Sequence, residues 1–267
     1  EQVLHMARSQ TPGPLAGWMI MIKPDPLADL EHTRGISERL NARGEVLKPL
    51  DEAQARKQIR ELIDAGVESV TVSLLHAYAN PAHERRLRQL IHEARKDLPV
   101  SLSSDILPEF REYERTLVTV MNAYVSPKMR LYLNNFEQKL RTIQFSPHVN
   151  IVRSDGGLMS VARAAESPVH TMLSGPAGGV SGAAFVAKLA GYPNALGFDM
   201  GGTSTDVSMI QNGTPNISRQ PQLGYYPIKV PSVEVHSVGA GGGSIAHVPM
   251  TGALRVGPQS AGALPGP

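Results

Sequence analysis

The sequence predicts an α/β protein, and three observations carry that prediction. Short apolar runs alternate with amphipathic helical stretches from Glu45 to Ile106, the signature of parallel strands joined by crossover helices. A long helical stretch follows from about residue 108 to 140. Then two apolar runs close on each other across glycines in "GFDMGGTSTDVSMI", residues 197–210, which reads as a β-hairpin.

The elements follow in order. "WMIMI", Trp18 to Ile22, lies between Gly17 and Pro24 and reads as a buried strand; "EVLKPL" is a short strand or edge. "DEAQARKQIRELIDAG" reads as a helix. Asp51 and Glu52 supply acids at its start, Ile59, Leu62 and Ile63 its apolar stripe, and Gly66 its stop. "VESVTVSLLHAY" is the next strand. "NPAHERRLRQLIHEARKDL" is the second helix, with Asn80 as N-cap and Pro81 at its first position. "PVSLSSDI" is a further strand. Helical pattern runs on either side of Pro127, and "FSPHVNIVRSDGGLMSV" returns to strand and a glycine turn. A small-residue helix is expected from about Gly178, entered through "SGPAGG". Boundaries are expected near residues 105 and 190, giving an α/β unit over 1–105, a helical and mixed connecting region over 106–190, and a second lobe over 191–267.

Composition narrows the function. The 267 residues are 41% hydrophobic and 19% charged, with a formal net charge of +2, an ordinary globular balance. No basic tract supports nucleic-acid binding. No apolar run reaches the roughly 20 residues that span a bilayer. Cysteine is absent, which excludes disulfides and thiolate metal sites and fits a reducing, cytoplasmic setting. The chain opens at Glu1 and stops within "SAGALPGP", so it is expected to be a piece of a longer polypeptide.

The chemistry concentrates in two glycine loops. In "DMGGTSTDV", Gly201 and Gly202 leave backbone N–H groups free to converge on an anion, and Thr203, Ser204 and Thr205 add hydroxyls. Asp199 and Asp206 flank the turn, where a carboxylate can hold a hydrated Mg²⁺ against phosphate oxygens. The other reading of the same residues is a tight turn capped by two acids. "GAGGGS", Gly239 to Ser244 with Gly241, Gly242 and Gly243, is a second loop after a strand. It is neither a P-loop nor a dinucleotide fingerprint. Glu234 and His236 share a strand face just before it, spaced to touch one metal or substrate, or to leave a hydrogen-bonded histidine under the loop. Asp155 reads as a turn cap, His76 as a strand-end histidine, and the run Arg111 to Arg115 as a solvated face. "GPAGG" suits either an anion at a helix N-terminus or close helix packing.

Together, "SDGGLMSV", "TMLSGPAGGVSGAAFVAKLAG", "GFDMGGTSTDVSMI", "VEVHSVGAGGGSIA" and "RVGPQSAGA" resemble successive landmarks of the hydantoinase A/5-oxoprolinase family. "SLLHAYANPAHERRL" and "FREYERTLVTVMNAYVSPKM" resemble it upstream, so the likeness covers nearly the whole chain. It implies RNase H-like lobes of the actin, sugar-kinase and Hsp70 ATPase group, with a helical segment between the α/β units. It also implies ATP and Mg²⁺ as cofactors, with a second divalent metal as an option. "DMGGTSTDV" would be the second phosphate hairpin, with "GAGGGS" near the nucleotide. Asp199, Asp206 and His236 are the candidate catalytic residues, and Asp199, Glu234 and His236 the candidate metal ligands. The implied activity is ATP-driven opening of a hydantoin, 5-oxoproline or lactam ring with a hydantoinase B-like partner. The alternatives are the nucleotide-binding subunit of an acetone- or acetophenone-type carboxylase, or a non-catalytic nucleotide-binding scaffold.

The sequence also departs from the family pattern. The first phosphate hairpin expected near the N-terminus is missing, Leu264 stands where an acid is expected, and Glu234 stands where Asp is commoner. The stretch by itself is therefore expected to bind nucleotide weakly.

Overall fold

A computed structural model describes residues 3–6, 25–145, 148–219, 221–224 and 226–262; the expected strand at Trp18–Ile22, and Leu264, lie outside them. The first part of the chain runs α1 (Val3–Met6), β1 (Arg39–Leu40), β2 (Val46–Lys48), α2 (Glu52–Asp64), β3 (Val70–Val72), α3 (Ala82–Ala94), β4 (Val100–Leu102), α4 (Ser103–Ile106) and α5 (Glu112–Thr142). It continues through β5 (Asn150–Val152), β6 (Leu158–Ser160), α6 (Val161–Glu166), α7 (Ser174–Leu189), β7 (Ala195–Met200), β8 (Thr205–Gln211), β9 (Thr214–Pro215) and β10 (Ile217–Ser218). The last strands are β11 (Gln222–Leu223), β12 (Tyr226–Pro227), β13 (Ser232–Val233), β14 (Val235–Val238), β15 (Ser244–His247) and β16 (Arg255–Ser260). The predicted α/β class holds.

The chain divides into two units. The first comprises Glu1–Asn150, Ser160–Val169 and Gln220–Val230. Its centre is a βαβ unit in which β3 and β4 pair in parallel, Val70 opposite Val100 and Val72 opposite Leu102. The Asp51 carboxylate accepts the Gln54 N–H at 2.9 Å and so caps α2. Gly66 ends the helix at φ +81°, a conformation cheap only for glycine. Asn80 accepts the Ala82 N–H at 3.0 Å, so α3 starts one residue later than expected. The apolar stripes of both helices bury Ala55, Ile59, Leu87, Leu90 and Ile91 against Val72, Leu98 and Leu102.

The helical stretch around Pro127 is one helix, α5. Its first half is buried through Leu117, Val118 and Met121, whereas Leu131 and Tyr132 in its second half are exposed. The charged run at its start is a solvated face only at Arg111, which is exposed. Arg115 is 1% exposed and Glu114 4%. The Arg115 guanidinium donates to Ser103 Oγ (3.1 Å), the Glu109 carbonyl (2.8 Å) and the Leu74 carbonyl (2.8 Å). Glu84, fully buried, accepts from the Leu74 N–H (2.9 Å), Ser103 Oγ (2.7 Å) and the Ser104 N–H (2.9 Å). Burial pulls the Arg115 pKa down and the nearby Glu84 charge opposes that shift. These two buried charges, joined through the Ser103 hydroxyl, thus hold both polar groups of Leu74 and tie the ends of β3 and β4 to α5. Removing one partner strands the other charge, so Arg115→Ala is expected to lower stability by about 3–5 kcal/mol. The check is the urea midpoint of unfolding, which should fall at unchanged slope. His76 closes the turn after β3 at φ +60°, its ring 3.4 Å from the Tyr78 hydroxyl.

The second unit comprises Ile151–Met159, His170–Arg219 and Pro231–Pro267. Its sheet has the order β14-β8-β7, with β9 also on β8, all antiparallel. Strand α-carbon partners across the predicted hairpin run from Ala195–Ile210 to Met200–Thr205. The helix α7 starts at Ser174, four residues before the expected Gly178. It lies on one face of this sheet: a Cβ on Gly197 would meet Ala183 Cβ at 3.7 Å. Two of its buried positions, Ala177 and Val180, pack on Val233, Val152 and Val235. Ser154, 1% exposed, fixes the turn after β5. Its N–H and hydroxyl both donate to the His170 carbonyl (2.7 and 2.9 Å), and its hydroxyl accepts the Leu173 N–H at 3.0 Å. Asp155 caps that turn by accepting the Gly157 N–H at 3.0 Å, and pairs with Arg153 at 2.8 Å.

Boundaries at 105 and 190 do not separate these units. The first would cut α4 and α5 from the strands β3 and β4 that they pack on, and the second would cut α7 from β7. No helix among the described residues is long and apolar enough to cross a membrane.

Candidate functional site

The site is built from the β7–β8 turn and the loop between β14 and β15. Residues 201–204 close the hairpin, with the Gly201 N–H donating to the Ser204 carbonyl at 2.9 Å. The second loop braces this turn from behind. Gly242 N–H donates to the Gly201 carbonyl at 2.9 Å and Gly243 N–H to the Gly202 carbonyl at 2.7 Å. The approach is so close that a Cβ on Gly241 would sit 2.5 Å from the Gly201 oxygen and 2.8 Å from the Ser204 nitrogen. Glycine at 241 is required by space rather than by backbone angle.

This packing sorts the predicted phosphate ligands. The amides of Gly242 and Gly243 are committed to the hairpin carbonyls, and that of Gly241 donates to Ser244 Oγ at 2.8 Å. Thr205 is buried and its hydroxyl donates to the Ala240 carbonyl at 2.6 Å. Gly239 lies at the outer end of the brace, against Pro258. These groups support the turn instead of presenting donors. The amides of Gly202, Thr203 and Ser204, and the hydroxyls of Thr203 and Ser204, have no hydrogen-bond partner among the described residues. Gly202 and Thr203 are exposed and Ser204 half-buried. Three successive amides and two hydroxyls without partners at one turn tip are donors of the kind that bind phosphate oxygens.

The two aspartates stand directly opposite each other across the hairpin, Asp199 on β7 and Asp206 on β8. Ser237 on β14 continues the row, and its hydroxyl donates to Asp206 Oδ1 at 2.5 Å. Asp199 has no ion-pair or hydrogen-bond partner among the described residues. The start of α7 passes close by: a Cβ on Gly179 would lie 3.8 Å from Asp199 Oδ2. Like charges directly opposed on a sheet destabilise it, and a cation between them removes the cost.

The expected metal set does not assemble. His236 pairs with Val207, which pairs with Phe198. Side chains in one cross-strand row share a face and successive rows alternate, so His236 is on the sheet face opposite Asp199, Asp206 and α7. Glu234, two residues before it, is exposed and precedes β14. Among the described residues, the one group of three ligand-type side chains with ligand atoms within 4.8 Å is Asp29, Glu31 and His32, all exposed. The sequence spacing of Glu234 and His236 gave their common parity but not the register that separates them from Asp199.

The hydantoinase/oxoprolinase family model matches residues 115–267, and that of the hydantoinase/oxoprolinase N-terminal region matches residues 1–95. The chain is 36% identical over 252 residues to the acetophenone carboxylase gamma subunit of Aromatoleum aromaticum, covering 92% of this chain and 34% of that one. A nucleotide-free structure of acetone carboxylase superposes with a TM-score of 0.81 at 33% identity, covering 98% of this chain and 38% of that one. The crystal structure of the ATP-dependent caprolactamase from Pseudomonas jessenii gives a TM-score of 0.77 at 37% identity, covering 88% of this chain and 34% of that one. The chain therefore spans little more than a third of the length of these relatives.

Proposed function

Because the chain belongs to the hydantoinase/oxoprolinase family, we propose that it carries the second phosphate-binding hairpin of an ATP-dependent enzyme that opens a cyclic amide. The observation that supports this most is the turn tip, where the unpartnered donors of Gly202, Thr203 and Ser204 stand beside two opposed aspartates. In this reading the units belong to RNase H-like lobes of the actin, sugar-kinase and Hsp70 type. The tip amides and hydroxyls orient the terminal phosphates, and Asp199 and Asp206 hold Mg²⁺. Bound there, Mg²⁺ neutralises phosphate charge and aligns the transferring group. Phosphoryl transfer to the amide oxygen breaks the bond to ADP and leaves an imidate phosphate. Water then adds at that carbon and the ring nitrogen leaves as the protonated amine, which opens the ring to an acyl phosphate; a second water displaces phosphate and gives the ring-opened acid. A hydantoinase B-like partner completes the active site, and the enzyme works in the cytoplasm.

A second reading keeps the same hairpin in the nucleotide-binding subunit of a carboxylase, favoured by the acetone and acetophenone carboxylase relatives. The whole gene product, co-expressed with its partner, separates the two. ADP release that depends on a lactam, hydantoin or 5-oxoproline and matches ring-opened product one for one is the expected result. ADP release that depends on a ketone with bicarbonate would replace the first reading by the second.

A further inference from the structure

The two opposed aspartates of the hairpin are not held alike, and the order of the sheet is the reason. β8 lies between β7 and β14, whereas β7 has no further strand beside it among the described residues. Asp206 on β8 therefore has a neighbour on each side, Asp199 on β7 and Ser237 on β14. Side chains of one cross-strand row share a face, and the Ser237 hydroxyl donates to Asp206 Oδ1 at 2.5 Å. Asp199, at the edge of the sheet, has no such donor among the described residues. One residue earlier on β8, the Thr205 hydroxyl donates to the Ala240 carbonyl at 2.6 Å. β14 and the loop that leaves it thus pin the start of β8 through two side-chain hydrogen bonds, while the carboxylate on β7 stays free. Asp206 is half-buried and Ser237 exposed, so water competes for their hydrogen bond and the fold gains little from it. For the site the bond does more: it occupies one carboxylate oxygen, limits rotation of the group, and leaves Asp206 Oδ2 without a partner among the described residues.

We propose that Ser237 is a positioning residue for the divalent cation, fixing the Asp206 carboxylate so that it and the free Asp199 carboxylate meet one hydrated Mg²⁺. The proposal rests on the reading of this turn as a phosphate site. Mg²⁺ demands near-octahedral geometry and gives up its waters reluctantly, so a carboxylate already oriented costs less to engage. Without the hydroxyl, Asp206 is free to turn away from Asp199, as like charges favour, and part of the binding free energy goes into bringing the two together. Ser237 acts through Asp206 and itself touches neither ion nor nucleotide.

The test uses the whole gene product, co-expressed with its partner and saturated with a non-hydrolysable ATP analogue. It reads the Mg²⁺ concentration that half-protects the amides of residues 201–204 from hydrogen exchange. Ser237→Ala is expected to raise that midpoint about 10–100-fold, with full protection at saturating Mg²⁺ and an unchanged unfolding midpoint. The Mg²⁺ midpoint of ATP turnover should move with it. Ser237→Thr keeps the hydroxyl at a strand position that suits a β-branched residue, and should restore both midpoints. In an Asp206→Ala background, Ser237→Ala should add no further shift, because the two residues act as one unit. An unchanged Mg²⁺ midpoint in Ser237→Ala overturns the proposal and leaves the phosphate site in place. A shift of the same size in the Asp206→Ala background also overturns it, since the hydroxyl then meets the ion directly. A shift that comes with a large fall in unfolding midpoint and is not rescued by threonine assigns Ser237 to structure. Wild-type protein without Mg²⁺-dependent protection at residues 201–204 removes the phosphate-site reading itself, and the proposal with it.

Discussion

Asp199→Ala in the whole gene product is expected to cut ATP turnover by about 10²–10³-fold or more while leaving the unfolding midpoint unchanged or slightly raised. Two arguments set the opposite signs. Asp199 has no partner in the described structure and makes no contact that holds the sheet, so its removal costs the fold little. It faces Asp206 directly across the hairpin, and relieving two opposed carboxylates favours the folded state by roughly 0.2–1 kcal/mol. A charge kept at a cost to stability, beside a cluster of free phosphate donors, is the pattern of a functional group rather than a structural one. Steady-state ATPase assays and thermal unfolding on the same preparation check both signs. Normal turnover in the folded variant removes Asp199 from the site, and a large drop in melting temperature assigns it to structure.

Gly241→Ala is expected to have the second largest effect, and by a different route. The new methyl would sit 2.5 Å from the Gly201 oxygen, 2.8 Å from the Ser204 nitrogen and 2.9 Å from the Gly202 carbonyl carbon. All three are backbone atoms, so no side chain can swing aside. The brace must separate from the turn, breaking the Gly242–Gly201 and Gly243–Gly202 hydrogen bonds. Overpacking of this kind costs about 1–3 kcal/mol, and ATP turnover should fall at least about tenfold, because a site loosened by an ångström loses positioning. Gly202→Ala is the contrasting variant. No atom lies within 4 Å of its added Cβ, so stability should hold while the KM for ATP rises as the methyl crowds the donor tip. A Gly241→Ala protein with wild-type stability and turnover would mean that the two loops are not coupled.

Much of this was legible in the sequence, and the reasons are local. The hairpin of residues 195–211 shows in its alternation around two glycines, and α2 shows in its Asp51 cap and Gly66 stop. What could not be read depends on neighbours distant in sequence. Arg115 looks like part of a solvated run until Glu84, 31 positions earlier, is found buried beside it and sharing Ser103. The amides of "GAGGGS" look free until Gly242 and Gly243 are found bonded to the hairpin. His236 looks like a partner of Asp199 until the β14–β8–β7 register puts the two on opposite faces. Period-two reading gives which residues of one strand share a face, but only pairing relates the faces of different strands.

The most direct test of the central claim is hydrogen–deuterium exchange of the whole gene product with and without a non-hydrolysable Mg²⁺–ATP analogue. The Gly202, Thr203 and Ser204 amides have no partner in the described structure, so they should exchange rapidly in the free protein and slow markedly with nucleotide. The Gly242 and Gly243 amides, already bonded to the hairpin, should be slow in both states. Saturating nucleotide that leaves exchange across residues 201–204 unchanged would contradict the assignment of this turn as the phosphate site.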